Sequence, residues 1–187
     1  MHIALPIAAL AATLSLQAQA TGPTALANRC TLQAYVSDND PGGTNVRAAP
    51  DAGSRVVARL YRHAEEGEDY GAQISIVEMR DGWARIDRAW FADYGSGGKA
   101  LFKGSGWVSA RLIGIAANAN ALRNAPATDA PVILKLTGKG WGPDSVAISQ
   151  LIDCRGDFAK IAVRTPDGHQ ATGWADHMCG NQVTTCP

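Results

Sequence analysis

Two stretches of this sequence, 76 residues apart, carry the same order of residue types, and no other feature narrows the possible folds as far. "NVRAAPDAGSRVVARL", from Asn45, aligns with "ALRNAPATDAPVILKL", from Ala121. Arg47 then meets Arg123, Pro50 meets Pro126, and the apolar run 56–60 meets 132–136. Further on, "MRDGWARI" from Met79 meets "CRGDFAKI" from Cys154 at an offset of 75, and "GWVSARLI" from Gly106 meets "GWADHMCG" from Gly173 at 67. The change falls between the last two segments, where the first copy carries "DRAWFADYGSGGKALFKGS" and the second only "AVRTPDGHQAT". A period of this size indicates a duplicated domain rather than a solenoid of short repeats.

Each copy reads as strands. "RVVARL", "AQISIVEM" and "WARID" are short β-branched or alternating apolar runs, separated by "AAPDAG", "HAEEGEDYG" and "RDG", which supply turn residues. Asp81-Gly82 is a hairpin signal, because both residues accept the positive φ of a tight connection; the second copy has Gly156-Asp157 there. No convincing 3.6-residue stripe follows the leader, and "LIGIAANANALRN" from Leu112 reads as a strand end plus linker. The expected fold class is all-β, as two tandem small barrels.

The opening "MHIALPIAALAATLSLQAQA" has the apolar core length of a signal peptide, too short to span a bilayer, and closes on small residues at Ala18 and Ala20. The expectation is cleavage after Ala20, hence an exported chain, periplasmic or secreted, with no membrane span. Seventeen basic against seventeen acidic side chains argue against nucleic acid or anionic lipid as partner. In an oxidising compartment the four cysteines, Cys30, Cys154, Cys179 and Cys186, are expected to form two disulfides. Three pairings are open; a local Cys179–Cys186 loop is feasible and would leave Cys30 to staple the N-terminal segment to the second copy through Cys154.

Cys154, His169, His177 and Cys179 could in principle form a zinc site or a thiol–imidazole pair. The spacing His177-Met-Cys179 lacks the gap common in closed zinc sites, and two barrels leave no helix to present a nucleophile, so no metal, cofactor or catalytic residue is expected. The acidic pairs Glu65-Glu66 and Glu68-Asp69 read as a solvated loop face.

The order N-x-R-x-x-P start, hydrophobic strand, "DGWARI" and closing "GWVSARLI" resembles the bacterial SH3 (SH3b) domain. The first copy matches throughout; in the second, Ala121 replaces the Asn, Asn124 interrupts the small-residue run and Phe158 replaces Trp83. The expected organisation is a signal peptide (1–20), an N-terminal segment with a first strand (21–43), barrel 1 (44–113), a linker (114–120) and barrel 2 with a cysteine tail (121–187). Asn45, Arg47, Pro50, Trp83, Trp107, Arg123, Pro126, Phe158 and Trp174 are assigned to the scaffold. The arginines lay their stems over the barrel and donate to loop carbonyls, the prolines fix φ at a bend, and the tryptophans serve as core or half-buried lids.

What remains for recognition is the insertion, which the second copy dispenses with, and its aromatic residues Trp90, Phe91, Tyr94 and Phe102, with Trp141 in "TGKGWGPD" beside them. The resemblance implies an exported, non-catalytic module binding peptidoglycan peptide through these loop aromatics. The alternative is a protein-interaction role in the envelope, such as an enzyme inhibitor or immunity protein.

Overall fold

The structure is a computed structural model that describes residues 29–65, 68–91, 98–182 and 186. The expected signal peptide, Glu66 and Tyr94 lie outside these residues. Strands dominate, and the described residues contain no helix beyond two short 3-10 turns, Ala110–Leu112 and Pro143–Ser145. In the first half the strands are β1 (Arg29–Val36), β2 (Thr44–Arg47), β3 (Val56–Leu60), β4 (His63–Glu65), β5 (Glu68–Tyr70), β6 (Gln73–Arg80), β7 (Trp83–Phe91), β8 (Lys99–Ser109) and β9 (Ile113–Gly114). In the second half they are β10 (Ala116–Ala117), β11 (Ala121–Arg123), β12 (Val132–Lys135), β13 (Ala147–Arg155), β14 (Phe158–Arg164), β15 (Gln170–Ala175) and β16 (Met178–Cys179).

The duplication in sequence is a duplication in topology. One sheet runs β3-β2-β8-β7-β6-β1-β9 and the other β12-β11-β15-β14-β13, so five consecutive positions repeat in the same order. The pairing of β1 with β9 has its counterpart in the separate pair β10–β16. Period-2 patterning explains the strands: β14 buries Ala159, Ile161 and Val163 on one face, and β6 buries Ile74 and Ile76. In β6 the alternation then skips to Met79, at a register shift against β7 between Ile76 and Glu78. Such shifts bend a strand, and the sheet is curled into a half-barrel.

The glycine of each Gly-Trp pair marks the closest crossing. A Cβ on Gly106 would stand 2.3 Å from Val46 Cγ1, and one on Gly173 2.6 Å from Ile133 Cδ1 and 2.8 Å from the Arg123 carbonyl oxygen. Glycine lets β2 pass β8, and β11 pass β15, with Arg47 opposite Trp107 and Arg123 opposite Trp174. Both tryptophans are buried, and each carries a guanidinium over its ring, Arg80 at 4.8 Å from the Trp107 centroid and Arg155 at 5.9 Å from that of Trp174.

One core serves both halves, since buried residues of the two sheets form a single cluster. Strand β1 joins them. Its body pairs with β6, while its first residues reach the other sheet: Thr31 N donates to Gly156 O and Gly156 N to Arg29 O, both at 2.9 Å. The Cys30–Cys154 disulfide fixes that contact across 124 residues, and Cys179–Cys186 closes a short loop at the C-terminal end.

Candidate functional site

A groove of about 610 Å³ lies at one end of the first sheet. Besides Ala52 of the loop between β2 and β3, four pieces of chain build it. The loop after β1 supplies Asp38 and Asp40, β2 supplies Asn45 and Arg47, the β6–β7 turn supplies Asp81, Gly82 and Trp83, and the 3-10 turn after β8 supplies Arg111 and Leu112.

Local chemistry holds each piece. The Asp38 carboxylate accepts from Asp40 N at 3.0 Å and from the Thr44 hydroxyl at 2.8 Å, and Asp40 accepts from Gly42 N at 2.8 Å. These Asp-centred turns are the reason an acidic loop keeps one shape. Asp81 and Gly82 both take positive φ, 51° and 78°, which gives the tight two-residue connection that brings Trp83 to the groove. Ala110 N then donates to Gly82 O at 2.8 Å and ties this tip to the 3-10 turn. Arg47 Nη1 donates to Ser54 O at 2.7 Å and braces the outer loop.

The groove is therefore amphoteric. Three carboxylates stand beside two guanidinium groups, with one half-buried indole among them. Asn45 Oδ1 is buried there without a hydrogen-bond partner among the described residues, an acceptor whose desolvation an N–H donor would relieve. At the matching positions of the second half stand Ala121, Phe158 and Met178 in place of Asn45, Trp83 and Arg111, so of these groove residues only Arg47 has a like counterpart, Arg123.

Among the described residues, the aromatics expected for recognition, Trp90, Phe91, Phe102 and Trp141, do not form one cluster. Trp90 and Phe102 share a second groove of about 430 Å³ with Arg88 and Lys103, on the extension of the β7–β8 hairpin. Phe91 turns away and packs edge-on against His63 and Tyr70, with centroids 5.1 and 6.0 Å distant. Trp141, half-buried in the second half, folds back on its own turn, where Gly138 N donates to Trp141 O at 3.1 Å and a Cβ on Gly138 would stand 2.3 Å from the indole. Of the three tryptophans expected as core or half-buried lids, Trp107 and Trp174 are buried, and Trp83 is half-buried and also lines the groove. Its place directly after the Asp81-Gly82 turn was the available signal, because a residue there sits at the sheet end, where loops converge.

Cys154 and Cys179 are both held in disulfides, which removes their thiolates from any nucleophile or metal role in the folded chain. Among the described residues no group of three His, Cys, Asp or Glu side chains is placed to hold a metal ion. No helix among them is long and apolar enough to cross a membrane. No protein-family model, curated protein or solved structure matches the chain.

Proposed function

We propose that this chain is an exported, non-catalytic binding module of two bacterial-SH3-like barrels, and that the first barrel holds a cell-wall peptide in the groove beside Trp83. The observation that carries this reading is the mixed lining of that groove, which combines Asp38, Asp40 and Asp81 with Arg47, Arg111 and the indole of Trp83. A peptidoglycan stem peptide carries amines, carboxylates and alanine methyl groups on one extended backbone, and each of these has a partner there. The repeated strand order supports the barrel reading, and two disulfides are compatible with an oxidising exported compartment.

Retention of the mature chain on insoluble peptidoglycan, followed by calorimetric titration with a soluble muropeptide, tests the proposal. Trp83→Ala and Arg111→Gln are expected to weaken binding at least about tenfold. Failure of the wild-type chain to bind either preparation would shift the reading to a protein partner. One observation favours that alternative: the edge strand β12 leaves Val132 and Ile133 49% and 46% exposed, a surface suited to strand addition.

A further inference from the structure

The extension of the β7–β8 hairpin is not needed to close the sheet. In the second half the corresponding connection is closed by a short turn, with Thr165 N donating to His169 O at 2.9 Å and Gly168 N to Thr165 O at 3.0 Å. The longer hairpin instead places two cations directly opposite each other, since Arg88 is the register partner of Lys103. Like charges at such a position repel, and among the described residues neither has an ion-pair partner. Arg88 lies over the Trp90 ring at 5.0 Å from its centroid, and Asp87 and Phe102 complete a groove in which both rings are half-buried.

From this juxtaposition we propose a second binding site, at Arg88, Lys103 and Trp90, for an acidic saccharide, a pyranose ring that bears a carboxylate. The carboxylate would lie between the two cations and relieve their repulsion. The apolar face of the ring would stack beside the indole, and Asp87 would accept a sugar hydroxyl. Neutral sugar leaves the cation pair uncompensated, so the charge is part of the recognition. Two sources supply this chemistry: a uronate polysaccharide, and a cell-wall glycan strand freed of its peptides so that its lactyl carboxylates are exposed.

Calorimetric titration of the mature chain with oligogalacturonate, with peptide-free wall glycan and with neutral chitotetraose tests the inference. Saturable binding of at least one acidic saccharide is expected, with chitotetraose at least about tenfold weaker, and the tighter of the two acidic ligands identifies the source. Arg88→Gln and Lys103→Gln are each expected to cost about tenfold in affinity. Both positions are exposed, and the double variant is expected to melt no lower than the wild type because a repulsion is removed. The inference is overturned if neither acidic saccharide binds at millimolar concentration, if chitotetraose binds equally well, or if the folded glutamine variants keep full affinity. Titration of the same preparations with muropeptide reports on the Trp83 groove, so the two readings fail separately.

Discussion

Arg47 and Arg123, 76 residues apart, make the same bond: each donates from Nη1 to the carbonyl oxygen seven residues ahead, Ser54 or Ala130, at 2.7 Å. The loops they brace repeat bond for bond. Ala48 N donates to Arg55 O at 2.9 Å and Asn124 N to Pro131 O at 3.0 Å, while Ser54 N to Asp51 O and Ala130 N to Ala127 O are both 3.1 Å. The arginine holds open a loop with few ladder bonds of its own. Replacing either by Ala is expected to destabilise the chain by about 1.5–3 kcal/mol, the worth of a hydrogen bond to a charged group. Lysine is expected to recover little, because a point ammonium does not reproduce the fork. Urea unfolding of the four single variants checks this, and equal losses at the two sites would show the loops to be energetic as well as geometric duplicates.

The two disulfides should differ in weight. Cys30–Cys154 spans 124 residues and Cys179–Cys186 spans 7. Loop-closure entropy assigns them about 5 and about 2.5 kcal/mol respectively. The paired replacement of Cys30 and Cys154 by Ala is therefore expected to lower the urea midpoint by about twice as much as that of Cys179 and Cys186. A larger effect from the short loop would mean that the tail, and not the staple at β1, holds the halves together.

Gln182 and Gly71, 111 residues apart, make a pair that sequence could not reveal. Gln182 Nε2 donates to Gly71 O at 2.8 Å and Gly71 N to Gln182 Oε1 at 3.0 Å, so one side-chain amide stands in for a strand partner. A Cβ on Gly71 would lie 1.7 Å from the Val36 carbonyl oxygen, which leaves glycine as the residue that fits. Gln182→Ala is expected to speed amide hydrogen exchange at Gly71 with little change at core positions such as Ile74. Gly71→Ala is expected to cost more than 2 kcal/mol, since the backbone of β1 has to move.

Most of the framework was legible because it rests on local chemistry. Strand alternation, the Asp81-Gly82 turn and the repeated Arg-to-carbonyl loops follow from residues close in sequence. The division of the tryptophans was legible only in part: the turn before Trp83 marks a sheet end, whereas the strand crossings at Gly106 and Gly173 that bury Trp107 and Trp174 depend on residues far apart in sequence. The recognition aromatics scattered for a similar reason. Phe91 follows Trp90 in the strand but packs on His63 and Tyr70, a contact with residues some twenty to thirty positions away that the local sequence does not announce.

Alkaline pH should expose the contact at Tyr35. Burial beside Gly114 raises its phenol above the usual 10.0, because the ionised form is poorly solvated there. The folded state therefore retains the proton longer than the unfolded chain. The resulting stability is fully present below the unfolded value and is lost as pH rises through the folded one. The urea midpoint is expected to fall above about pH 10, and Tyr35→Phe is expected to flatten that fall. An unchanged slope would assign the loss to other groups.

Trp83 and Trp107 provide the sharpest separation of fold from function. Trp107 is 5% exposed, with Arg80 over one face and Arg47 and Arg85 opposite it in register, so truncation removes the ring on which these side chains pack. Trp107→Ala is expected to cost about 3–5 kcal/mol, which approaches the whole stability of a small domain. Trp83 stands at the groove with part of its ring open to solvent, and Trp83→Ala is expected to cost on the order of 1 kcal/mol. Their effects on muropeptide binding should run the other way. A folded Trp83→Ala chain is expected to lose at least about tenfold in affinity, whereas Trp107→Ala, measured well below its melting temperature, should bind in proportion to its folded fraction. If the Trp83 variant melts as low as the Trp107 variant, its indole belongs to the scaffold, and the proposed peptide site loses its aromatic contact.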